Sequence, residues 1–90
     1  MATSNPTITK QWAVIASGAG TRSISAANVA AEYAVTDDTN PLDSSFYGHR
    51  VYPDSGLGQT ITMEAGEHLQ ARTASRPNAG NDSAVVVVTS

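Results

Sequence analysis

The chemistry open to this chain is narrow. Ninety residues hold two histidines, His49 and His68, and no cysteine. Thiol nucleophiles, thiolate metal sites and disulfides are therefore excluded, and so is a centre built on several histidines. The carboxylates offer one loop of hard oxygen ligands, Asp37, Asp38, Asn40 and Asp43. Calcium would want six to eight such oxygens, yet the EF-hand spacing and its closing glutamate are missing. A solvated acidic loop accounts for these residues equally well, and no metal is expected. His49 and His68 could work as acid or base beside Asp54 or Glu67. A hydrolase would also need a nucleophile on a defined turn, and no G-x-S-x-G is present. Ser17-Gly18-Ala19-Gly20 lacks the lysine of a phosphate loop. The chain is expected to be no enzyme and to carry no cofactor.

What stands out instead is contact chemistry. Phe46, Tyr47 and Tyr52 gather around His49 and Arg50. Rings with arginine are favoured at protein interfaces, and rings also stack on sugars. The same rings could equally complete a small core. Arg72 and Arg76 flank the last loop, beside Asn78, Asn81 and Asp82, where charge-assisted bonds to a neighbouring subunit are open to them. Solvation alone is the plainer reading of loop arginines. Thr3 and Asn5 belong to a polar opening segment that could order against a partner. Thr3, Asn5, Phe46, Tyr47, Arg50, Arg72, Arg76 and Asn78 are thus the candidate contacts. Asn81-Asp82-Ser83 matches a glycosylation acceptor but means little without a signal peptide.

Charge and composition narrow the partners. Five Lys/Arg against eight Asp/Glu give −3, and the cations are scattered, so nucleic acid and anionic membranes are not expected partners. Of 36 apolar residues 14 are alanine, which leaves little bulk for a core. Such small domains gain stability from a partner subunit when disulfides and metals are absent. Ten threonines and ten serines supply most of the polarity, a makeup that suits extracellular or virion β-structure better than a cytosolic enzyme. No signal peptide or membrane-spanning run is apparent, so a soluble chain starting at its own Met1 is expected.

The elements that must position these residues read as strands. Residues 1–7 lack periodicity and are expected to form a flexible arm, with a single β domain over 8–90. Ile8 to Ala16 alternates around Trp12 and predicts the first strand. Residues 26–35 carry enough alanine for a short helix, but Val29, Ala31, Tyr33 and Val35 alternate, and a strand from about Asn28 to Thr36 is favoured. Gln59–Glu64 and Glu67–Thr73 alternate on either side of Ala65-Gly66, the usual signature of a hairpin. Val85–Val88 predicts a last strand buried on both faces. Turn signals recur between short strands, so the fold class expected is all-β: a small antiparallel β-sandwich or jelly-roll-like barrel of about six to seven strands.

Several of these segments resemble small tailed-bacteriophage virion proteins. Gly66-Glu67-His68-Leu69-Gln70-Ala71-Arg72-Thr73, followed by Ser83-Ala84-Val85-Val86-Val87-Val88, is similar to their C-terminal hairpin. Trp12–Gly18 is similar to their first strand, and Tyr33–Asp38, leading through a Pro-containing loop to Gly48-His49-Arg50-Val51, to a later part. The resemblance spans most of residues 8–89 and rests on short motifs. It implies a compact β-sandwich that decorates or cements a capsid or forms the base of a head or tail fibre, commonly as a trimer, made in the bacterial cytoplasm and residing in the virion. The partner implied is the major capsid protein or another virion protein. A glycan- or receptor-binding module of a fibre or tail, with Tyr47, Tyr52 and Arg50 as contacts, is the alternative.

Overall fold

A computed structural model of the chain describes residues 3–27, 30–53, 58–74 and 83–89. Among them are nine strands and no helix. The strands are β1 (Thr3–Ser4), β2 (Thr7–Thr9), β3 (Ala13–Ser17), β4 (Gly20–Ala26), β5 (Ala31–Thr36), β6 (His49–Val51), β7 (Gln59–Met63), β8 (His68–Thr73) and β9 (Ser83–Thr89). One sheet has the order β1-β9-β4-β7, with β2 also on β9; the other has the order β3-β8-β5-β6. All pairings are antiparallel. The expected antiparallel all-β sandwich is the observed fold, with more and shorter strands than the turn signals suggested.

The core lies between the sheets. Ile8, Ile24, Ile61, Met63, Val86 and Val88 come from one sheet, and Ala31, Tyr33, Val51, Leu69 and Ala71 from the other. Alternation decides who enters: Ile61 and Met63 are buried while Thr60 and Thr62 between and beside them are exposed. β9 shows the same rhythm, with Val86 and Val88 buried and Val85 and Val87 half-buried. The four valines therefore do not form a strand buried equally on both faces. β9 is nevertheless central in its sheet, flanked by β1 and β2 on one side and β4 on the other. Branched side chains suit that place on both faces.

Connectivity departs from the sequence reading. β7 and β8 do not pair with each other: β7 pairs with β4, and β8 lies between β3 and β5. Ala65-Gly66 is an arch that carries the chain from one sheet to the other. Gly66 has φ +86°, a backbone state that a side chain would strain. β8 and β9 likewise belong to different sheets, so the C-terminal hairpin implied by the resemblance is absent. Alternation gives identical patterns in a hairpin and an arch, and only the partner sheet distinguishes them. Arg22 stabilises the other arch, between β3 and β4, by donating to the carbonyls of Ser17 (2.7 Å) and Gly18 (2.8 Å). The Gly18 amide donates to the Glu67 carbonyl at 3.0 Å, which ties the two arches together.

The opening segment also differs. Thr3 and Ser4 pair with Thr89 and Val88, and Thr7–Thr9 pair with Val85, Ala84 and Ser83. Residues 3–7 thus lie along the β9 edge rather than forming a free arm. Pro6 separates β1 from β2, and its carbonyl accepts from the Val86 amide at 3.2 Å. A polar Thr/Ser edge strand needs no apolar periodicity, because backbone bonds hold it. The single strand expected from Ile8 to Ala16 is broken at residues 10–12, where the chain leaves β9 for β8. β5 takes the strand expected over residues 28–36, of which Asn28 and Val29 lie outside the described residues.

Candidate functional site

The β3-β8-β5-β6 sheet has a second buried face. Leu69, Ala71 and Thr73 point into the sandwich core, so Gln70 and Arg72 must point outward; both are nonetheless buried. Their cover is the 37–48 segment joining β5 to β6. Gln70 holds its first half. The Gln70 amide donates to the Asn40 carbonyl (2.9 Å) and to Thr36 Oγ1 (3.1 Å), while its carbonyl accepts from the Leu42 amide (3.1 Å).

Arg72 holds the second half. Register places it opposite Glu32, and Nε donates to Glu32 Oε2 at 3.0 Å. The guanidinium also donates to the carbonyls of Ser44 (2.8 Å) and Phe46 (2.6 Å) and lies 4.8 Å from the Trp12 ring centroid. Burying a charge is costly unless it is paired and hydrogen-bonded, and here both conditions are met. Glu32 Oε1 accepts from the Gly48 amide at 3.2 Å, so the pair grips the loop on both sides of Tyr47. Gly48 is required by space. A Cβ there would run into the Tyr33 carbonyl and stand 2.7 Å from Trp12 Cη2. Trp12 Nε1 is buried without a hydrogen-bond partner among the described residues, a local cost set against the packing of its ring on Phe46 and Arg72.

Above this clamp the surface is aromatic. Tyr47 is 77% exposed and Phe46 44%, the latter packing edge-on against Trp12 at 5.9 Å between centroids. Tyr52 and Val35 are also substantially exposed, as are His49 and Arg50. His49 lies over Tyr33 at 5.3 Å, and burial pushes the Tyr33 phenol up from its ordinary value. A groove of ≈ 570 Å³ opens beside these rings, lined by Tyr33, Val35, Phe46, Tyr47 and His49 on one side and by residues 60–62 of β7 on the other. No family model, curated protein or solved structure matches the chain.

The sequence-derived contacts therefore separate. Phe46, Tyr47 and Arg50 are each exposed, and Phe46 and Tyr47 line the groove while Arg50 lies across from Glu32 in the β5–β6 register. Thr3 and Asn5 are exposed along the β9 edge, with Thr3 Oγ1 3.3 Å from Thr89 Oγ1. Arg72 is corrected: at 4% exposure it reaches no partner and serves as an internal strut. Its strand face is covered by the chain's own loop, which periodicity could not reveal. Arg76 and Asn78 lie outside the described residues, as does Asp54.

The acidic loop is used internally. Asp38 accepts from the Asn40 amide, and Asp43 accepts from both the amide and the hydroxyl of Ser45, each at 2.9 Å. The two Ser45 bonds hold the Asp43 carboxyl below its ordinary value. Among the described residues no group of three or more His, Cys, Asp or Glu is placed to hold a metal. His68 makes a pair that sequence reasoning missed: its Nδ1 lies 2.7 Å from Ser17 Oγ, directly across the β3–β8 ladder. The contact ties β3 to β8 across the ladder, and among the described residues no carboxylate bonds the ring.

Proposed function

We propose that this chain is a structural contact module of a phage virion, decorating or cementing the capsid through protein–protein contacts and catalysing nothing. Tyr47 carries the reading. Its ring is 77% exposed, yet the backbone on either side of it is gripped from beneath, at the Phe46 carbonyl by Arg72 and at the Gly48 amide by Glu32. An exposed ring on a fixed backbone loses little conformational freedom on binding, which is how aromatic anchors give affinity. Phe46 and Val35 line the same groove and add apolar area beside it. The resemblance to small tailed-phage virion proteins supplies the setting, with the major capsid protein or a neighbouring virion protein as partner. With 14 alanines among 36 apolar residues the chain has little bulk for a core, which supports assembly of copies, a homotrimer in this reading.

The test is the protein content of purified source particles. Quantitative mass spectrometry should find the chain at a copy number near that of the major capsid protein. Its absence from washed particles would overturn the proposal.

A further inference from the structure

The two sheets present four edges, and three are blunted. β3 carries a register irregularity between Val14 and Ala16. β6 is three residues long and displays exposed His49 and Arg50. On the β9 side the edge is divided into strands of two and three residues separated by Pro6. Bulges, charges, proline and shortness are the devices by which proteins keep edges from pairing with another chain.

β7 has none of them. Gln59-Thr60-Ile61-Thr62-Met63 contains no charge and no proline, and it pairs with β4 in unbroken register from Gly20↔Met63 to Ile24↔Gln59. Among the described residues its other side has no strand partner, leaving backbone N–H and C=O groups open. The groove lies along this same strand, with Thr60, Ile61 and Thr62 in one wall and Val35, Tyr47 and His49 opposite.

We propose that β7 is an augmentation site: an extended segment of a partner protein adds to it as the next strand and sets side chains of one face into the groove. This rests on the reading of the chain as a protein contact module. Three observations select the occupant. A row of open backbone groups on an edge is a template for another extended backbone, which exchanges their bonds to water for a ladder. Five residues of edge span about 17 Å, the length of an ordinary strand. Neither wall carries Asp, Glu, Lys or Arg, so the inserted face is apolar or aromatic and carries no charge.

Selection of displayed random peptides on the purified chain tests this. The enriched peptides should alternate large apolar residues with β-branched or polar ones and lack charge on the apolar face. Hydrogen exchange with the best synthetic peptide should slow at amides within Gln59–Met63. Thr62→Lys places an ammonium on the exposed edge, and Tyr47→Ala removes the opposite wall. Each should weaken that peptide by roughly tenfold or more with the melting temperature kept. Selection without consensus, protection elsewhere, or binding indifferent to Tyr47→Ala would overturn the proposal. So would a dimer of the free chain that Thr62→Lys dissolves, which gives the edge to a second copy, or an oligosaccharide that displaces the peptide without protecting β7 amides. Because the purified chain alone is used, this result stands apart from whether the chain is found in particles.

Discussion

Arg72→Met should be among the most damaging single substitutions in the chain. The methionine keeps much of the arginine stem's apolar volume but removes the donor to Glu32, the two donors to the Ser44 and Phe46 carbonyls and the cation over Trp12. Ser44 and Phe46 are exposed, so their carbonyls can turn to water at modest cost. Glu32 cannot. Its side chain is 2% exposed, and a carboxylate stranded there is the dominant penalty. Removing one member of a buried ion pair costs about 3–5 kcal/mol. A domain of this size has roughly 5–14 kcal/mol in total, so the variant should lose a large part of its stability. Glu32→Gln in the same background removes the stranded charge, and the double variant should be more stable than the sum of the single losses allows by about 1–3 kcal/mol. Urea unfolding followed by Trp12 fluorescence measures all three variants, and an unchanged slope with denaturant confirms that the native state is being compared. A loss under about 1 kcal/mol for Arg72→Met, or strict additivity in the double variant, would refute the clamp.

Three further outcomes follow from the same loop. Gly48→Ala should lower stability by about 1–3 kcal/mol in thermal unfolding, since its Cβ has no room between Tyr33 and Trp12; a neutral result would contradict the close approach. Gln70→Ala should cost about 1–3 kcal/mol and expose residues 38–42 to limited proteolysis, because it strips the partners from Asn40 and Leu42; protection equal to the parent would show that Gln70 does not hold the loop. Asp43, its carboxyl held down by Ser45, contributes order that is complete above the ordinary carboxyl value and lost only as pH falls through the lower folded value; the Ser45 amide resonance should therefore titrate below 3.8, and a midpoint at or above that value would contradict the assignment.

How far the sequence carried this fold depends on which bonds made each element. Where side-chain burial made the strand, as at Ile61 and Met63 or Leu69 and Ala71, the period of two was plain. Where backbone bonds to a neighbour made it, as at Thr3–Ser4 on β9, no periodicity existed to be read. The arch at Gly66 had the same residues as a hairpin turn, and only tertiary pairing separates them. Phe46, Tyr47 and Arg50 were legible as candidate contacts because large rings beside a cation are conspicuous, and all three are exposed. Arg72 looked like one of them because its cover comes from residues 37–48, far away in sequence. Glu32 was hidden within an alanine-rich strand pattern, and only the β5–β8 register brings it opposite Arg72.

In the proposed function the Tyr47 surface holds the chain against other proteins of the particle. Electron cryo-microscopy of phage particles shown by mass spectrometry to carry the chain is the test. Density for the β-sandwich should appear on the particle, with the Phe46–Arg50 segment buried against a neighbouring subunit. Density that seats the sandwich through another face and leaves Tyr47 in solvent would contradict it.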